Sequence, residues 1–145
     1  MKQYPVIILA GGQGKRAGGI LKQFVRLHKK PLIQYSLEVF LSLRECDPIV
    51  VVVPEKKLGY TRKLAKHIGI PEQRLSVVTG GRNRRESALR GLEEVMKLSK
   101  GMARGHVFFH DAARPLISSR MIRQLERAAE RYGAATVGVV AIDLL

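Results

Sequence analysis

Asp111 and Arg114 stand three residues apart in HDAARP (110–115), a carboxylate and a guanidinium directly after an apolar run. A carboxylate there can hold a Mg²⁺ that carries phosphates, and a guanidinium can grip a phosphate through parallel N–H donors. The same two residues can instead form an ion pair within their own turn. His110 beside them reads as a packed strand-end residue rather than a base. A second basic loop, LAGGQGKRAGGILKQF (9–24), sets Gly11, Gly12 and Gly14 beside Lys15, Arg16 and Lys22. Glycines admit positive φ and close backbone approach, so successive N–H groups there can form an anion nest. A third loop, GGRNRRES (80–87), places Gly80 and Gly81 before Asn83, Glu86 and Ser87. Helix N-termini bind anions and polar base edges through their free N–H groups. Each loop also has a plain structural reading: a flexible basic connection, or a tight turn before a capped helix.

Other chemistries find no pattern here. The first loop lacks the GxxxxGK[ST] of a P-loop, and the GxGxxG spacing meets Ala17 where its third glycine belongs. The lone Cys46 excludes an internal disulfide and reads as a small core residue in a reducing compartment. No run reaches the apolar length of a membrane span. The N-terminal run VIILA is too short for a signal-peptide core, so a cytoplasmic location is expected. The formal net charge of +14 attracts anions, whether nucleotides, nucleic acid or acidic lipids, or it serves only to solubilise.

These loops need strands and helices to position them. Short β-branched or aromatic runs occur at 6–10, 49–53, 75–79, 106–110 and 135–140, each reading as a strand buried on both faces. Helices are expected between them. The first starts at Pro31 as its first residue and continues through LIQYSLEVFLSL. The second lies near 55–68. The third, near 84–98, has Asn83 and Glu86 at capping-box spacing. The fourth follows Ser118 as cap, with Ile122, Leu125, Ala129 and Tyr132 on one face. Such alternation implies parallel βαβ units in one α/β domain of 145 residues, with helices on both faces of a mainly parallel sheet. Ligands in such folds bind at the carboxyl ends of the strands, where all three loops fall.

In order and spacing, LAGGQGKR with KQF, GGRNRRES and HDAARP resemble the 2-C-methyl-D-erythritol 4-phosphate cytidylyltransferase family, across essentially the whole chain. The resemblance implies a three-layer, Rossmann-like nucleotidyltransferase fold. It also implies transfer of CMP from CTP to methylerythritol 4-phosphate with release of pyrophosphate, a step of non-mevalonate isoprenoid synthesis. By the same resemblance Ala10, Gly11, Gly12 and Gly14 wrap CTP, and Arg16 and Lys22 are the catalytic pair on its phosphates. Gly81 and Ser87 read cytosine with Arg84 nearby. Asp111 binds Mg²⁺, Ala112 lies by the ribose and Arg114 by the acceptor. The residue types suit this chemistry: the phosphate nucleophile is already an anion, so positive charge, backbone donors and a metal suffice without a protein base.

The first loop departs from the family at Ala17 and Leu21 and is one residue short before Lys22, and Arg82 replaces a common Asp. Family members continue beyond VAIDLL, with a dimerisation arm, a second metal carboxylate and a further phosphate-binding lysine. The chain is thus expected to be C-terminally truncated relative to the family, to bind CTP weakly and to turn over poorly by itself. Asp143 matches an acidic residue of the family's next loop, and Leu144 stands where a threonine is expected. CDP-ribitol pyrophosphorylases share all three motifs, so ribitol 5-phosphate is the rival acceptor. A second class of reading is a nucleic-acid module using Arg120, Arg123, Arg127 and Arg131 on one helix face. Glu126 and Glu130 interrupt that face and no aromatic platform accompanies it. A third is a non-catalytic nucleotide binder.

Overall fold

The structure is a computed structural model, and it describes residues 2–12, 18–99 and 105–139. The strands are β1 (Tyr4–Leu9), β2 (Arg26–Leu27), β3 (Lys30–Pro31), β4 (Cys46–Val53), β5 (Leu75–Thr79) and β6 (Phe108–Asp111); the helices are α1 (Leu32–Ser42), α2 (Leu58–His67), α3 (Arg84–Leu98) and α4 (Ser119–Tyr132). Among the described residues, β5, β4, β1 and β6 form a wholly parallel sheet in that order.

The apolar runs of β1 and β4 are buried on both faces because helices cover both. Val6, Ile8, Ile49, Val51 and Val53 pack with Ile33, Leu37 and Phe40 of α1, Ala65 of α2 and Ile122 of α4. On the opposite face Ile7, Leu9, Val50 and Val52 meet Val95 of α3, with Ala88 and Leu92 against them. This is a three-layer α/β/α arrangement. The chain steps outward from β1 to β4 to β5, then crosses by way of α3 to β6 on the other side of β1. The reversal of order therefore falls between β1 and β6.

Several expectations are corrected. The fifth strand, expected over 135–140, is absent across 135–139, while residue 140 lies outside the described residues. Val137 and Val139 are exposed instead, because no neighbouring strand among the described residues pairs with them. Pro31 is the N-cap of α1 in an extended conformation, and the helix begins at Leu32. The segment expected to be one helix near 55–68 is a 3-10 turn, Glu55–Lys57, followed by α2. Strand β4 starts three residues earlier than expected and runs through Pro48, which follows a cis peptide bond, and its register with β1 is irregular between Tyr4 and Val6. The β2–β3 hairpin escaped the sequence because its turn residues, His28 and Lys29, take positive φ without glycine or asparagine. On α4 the face begins as expected with buried Ile122, but Tyr132 is 70% exposed and lies under the Arg131 guanidinium. Cys46 is fully buried, and burial pushes its thiol up to about 12.

Candidate functional site

Parallel strands deliver their following loops to one edge, and the register brings three of them together. Leu9, the last residue of β1, is level with Val52 on one side and Asp111 on the other. The pairing continues past the strand ends: Ala10 N–H donates to Val52 O (2.7 Å), Ala112 N–H to Leu9 O (3.0 Å) and Gly80 N–H to Val53 O (2.8 Å). The loops after β1, β5 and β6 thus leave the same edge of the sheet with their first residues still bonded to the neighbouring strands β4 and β1.

Ser87 joins the first and third loops. It is buried in the first turn of α3, where its hydroxyl donates to Asn83 O (2.9 Å) and accepts from Gly81 N–H (3.1 Å). A methyl on Gly11 would lie 3.1 Å from Ser87 Oγ, and one on Gly80 only 2.9 Å from it. Something would have to shift to admit a methyl at Gly80, whereas at Gly11 Ser87 would need to give only a few tenths of an ångström. Gly81 is more constrained, since a Cβ there would lie 2.2 Å from Glu86 Cβ. Asn83 caps α3 through Glu86 N–H (2.9 Å), as the spacing predicts. The return arm of the box is displaced: Glu86 accepts from Arg82 N–H (2.9 Å) and from its guanidinium. That engagement holds the Glu86 carboxyl below its usual range, first through the Arg82 side chain.

Asp111 is half-exposed at the end of β6. Its two carboxylate oxygens face different arginines, Arg84 of α3 at 3.0 Å and Arg114 of its own turn at 3.4 Å. The intra-turn pair foreseen as a structural alternative is thus formed, and a second loop joins it. Arg84 and Arg85 open α3 at the positive end of its dipole, so Asp111 offsets an unfavourable placement there. Anionic ligand oxygens could do the same, which would free the carboxylate for a cation. His110 is buried, bonded to Ser36 Oγ through Nε2 (2.8 Å) and packed edge-on against Phe40. Burial lowers its pKa, which fits a neutral packed residue.

Ala10 is buried with the core, and Ala112 is fully buried there too, so either could meet a ligand only through its backbone. Lys22 is exposed at the start of a 3-10 turn, Lys22–Phe24. Gly14, Lys15, Arg16, Ala17, Asp143 and Leu144 lie outside the described residues. Two residues to which no role was assigned from the sequence also bear on the loops. Buried Gln23 donates its amide to Ala10 O (2.6 Å) and Gly12 O (3.2 Å). Arg90 donates to Gly80 O (2.7 Å) and Thr79 O (3.3 Å). Both take up carbonyls of the candidate loops, a role that side-chain type and spacing do not announce. An open surface depression is lined by Leu21, Phe24, Val25, Lys56 and Lys57, with the Lys57 ammonium 5.0 Å from the centres of both the Phe24 and Tyr60 rings.

A magnesium ion arriving with a polyphosphate suits this donor set. Mg²⁺ is commonly held by one or two carboxylates, substrate phosphates and water. Asp111 offers one such carboxylate, and no cluster of three or more metal-ligating side chains occurs among the described residues. One arginine of the α4 stripe is taken by an internal pair, Arg123 with Glu45 at 3.5 Å. No helix among the described residues is long and apolar enough to cross a membrane.

Comparison with known proteins agrees with this geometry. Residues 4–144 match the family model described as 2-C-methyl-D-erythritol 4-phosphate cytidylyltransferase. The chain is 36% identical over 146 positions to the Clostridium botulinum protein of that name, a match covering 100% of this chain and 61% of the relative. Among solved structures, the 2-C-methyl-D-erythritol 4-phosphate cytidylyltransferase of Francisella tularensis is 26% identical with a TM-score of 0.64, over 89% of this chain and 52% of that one. The 4-diphosphocytidyl-2C-methyl-D-erythritol synthase of Anaerococcus prevotii, 19% identical, shares the fold with a TM-score of 0.69, over 90% of this chain and 52% of its own. The chain thus spans less than two thirds of the length of the relatives it matches.

Proposed function

We propose that this chain, which belongs to the 2-C-methyl-D-erythritol 4-phosphate cytidylyltransferase family, carries the CTP site of an enzyme that transfers CMP to methylerythritol 4-phosphate. The observation that carries this reading is the convergence of the three motif loops on one sheet edge. Leu9 is level with Asp111, and Ser87 lies against both Gly11 and Gly81.

In this reading residues 1–145 act as a single nucleotide-binding domain. The backbone of Ala10, Gly11, Gly12 and Gly14 wraps the nucleotide, Ser87 and Gly81 meet the cytosine, and the Ala112 backbone lies by the ribose. Arg16 and Lys22 bear on the triphosphate. A phosphate oxygen of the acceptor attacks the α-phosphorus of CTP, forming the new P–O bond as the bond to pyrophosphate breaks. The acceptor oxygen arrives as an anion, so no side chain need remove a proton. The task is to bring two anions together, and fixed cations and backbone dipoles do this by position and field. Arg84 and Arg114, paired to Asp111 in the free protein, are released when Asp111 takes a cation, Arg84 beside the cytosine and Arg114 toward the acceptor. A Mg²⁺ held by Asp111 and the phosphates would neutralise charge on the triphosphate. Family resemblance implies a cytoplasmic homodimer acting in isoprenoid synthesis by the non-mevalonate route, joined through a dimerisation arm that these 145 residues do not include.

Calorimetric titration with Mg·CTP and Mg·ATP tests the nucleotide, with preference for CTP expected. Pyrophosphate release on adding methylerythritol 4-phosphate or ribitol 5-phosphate tests the acceptor, and release with the former is expected. No binding of CTP at millimolar concentration would contradict the reading.

A further inference from the structure

We infer that Gln23 is a positioning residue that sets the glycine loop and Lys22 in one frame for the nucleotide. The inference rests on the nucleotide reading above.

The carboxamide of Gln23 is buried, with the residue 6% exposed, and a buried amide needs partners for both of its donors. Those partners are the carbonyls of Ala10 and Gly12, the two that flank Gly11. In a trans peptide the C=O and the following N–H point in opposite directions. Turning Ala10 O toward Gln23 therefore aims Gly11 N–H away from it. An anion nest needs N–H groups held outward before the ligand arrives, and Gln23 supplies that hold from beneath the loop.

The same residue fixes the start of the next segment. It sits in the middle of the 3-10 turn, which is closed by Phe24 N–H to Leu21 O (2.9 Å) and Val25 N–H to Lys22 O (3.0 Å). Phe24 is held in turn by an edge-on contact with Tyr60 and by the Lys57 ammonium. Lys22 is thus one peptide bond from an anchor that grips the glycine loop itself. However the intervening chain runs, the Lys22 backbone and the Ala10–Gly12 backbone share one reference point.

Gln23→Met keeps the approximate volume and removes both donors. Gln23→Glu keeps the length and turns an oxygen toward two carbonyl oxygens. Three measurements separate the roles: backbone order parameters of Gly11 and Gly12 in the free protein, Mg·CTP affinity, and melting temperature. In Gln23→Met we expect those order parameters to fall from about 0.85 to below about 0.6 and CTP affinity to fall about tenfold, with the melting temperature lowered by roughly 3–10 °C. In Gln23→Glu the order should be lost at pH 8 and return as pH falls, because the buried carboxyl protonates and then donates. Unchanged order in Gln23→Met, or lost order with unchanged CTP affinity, overturns the inference. If Gln23→Met does not fold, failure of order to recover with acid in Gln23→Glu also overturns it. If the parent chain binds no CTP, the nucleotide reading fails, whereas the order parameters still decide whether Gln23 holds the loop.

Discussion

A methyl group added at Gly80 should reveal how tightly the candidate loops are packed, and a second substitution should relieve it. In Gly80→Ala the new Cβ would lie 2.9 Å from Ser87 Oγ, with Val52 Cγ1 next at 3.4 Å and Gly11 Cα at 3.5 Å. Only the first contact is shorter than real Cβ atoms show. Overpacking of this kind typically costs ~1–3 kcal/mol. The loss of glycine freedom in the unfolded chain returns ~0.4–1 kcal/mol, because Gly80 is not at positive φ. The net expectation for Gly80→Ala is a loss of ~0.5–2 kcal/mol. Ser87→Ala removes the bond from Gly81 N–H and should by itself cost ~1–2 kcal/mol. In the double variant the shortest contact becomes the ordinary 3.4 Å to Val52, so the Gly80 methyl should be neutral or stabilising. The predicted coupling is ~1–2 kcal/mol in favour of the double variant. Urea unfolding of the four proteins at constant m-value measures it. Additivity within ~0.3 kcal/mol would refute the close packing of Gly80 on Ser87.

Gly91→Ala places a methyl 2.6 Å from Ile7 Cγ2 where α3 crosses the sheet, so it should destabilise by ~1–2 kcal/mol in urea unfolding despite alanine's better helix propensity. Asp111→Asn breaks pairs with two largely exposed arginines and should change stability by less than ~1 kcal/mol. The same change should weaken Mg²⁺-dependent CTP binding at least tenfold by titration calorimetry. The His110 ring should titrate below the ordinary 6.5 in an NMR pH series, since burial disfavours its charged form. In that case the unfolded chain binds more protons between the two pKa values. The His110 contribution to stability is then full above about 6.5 and falls as pH drops toward the folded value. A midpoint at or above 6.5 would contradict the burial of the ring.

The layer order was legible because the core strands are unusually uniform. IVVVV and VIILA have no polar face, which demands helices on both sides, and those helices are present on both sides. The α3 boundaries were legible because Asn83 is a strong cap with its acceptor group in place. What escaped was decided by contacts between segments distant in sequence. ATVGVV has strand composition, but a strand also needs a neighbour, and 135–139 finds none among the described residues. The loops could be placed at one edge from the sequence. The grip of Gln23 on Ala10 and Gly12, 13 and 11 residues away, could not, because a glutamine between a lysine and a phenylalanine carries no local signal of what it bonds. The double partnership of Asp111 likewise joins two loops 27 residues apart.

The central claim is that CTP binds across the loops that follow β1, β5 and β6. Backbone amide shift mapping during titration with Mg·CTP tests it most directly. The account predicts saturable shifts at Gly11, Gly12, Gly81, Ser87 and Asp111, with α4 little changed. Shifts confined to the arginines of α4 and abolished by moderate salt, or no saturable shift at all, would contradict it.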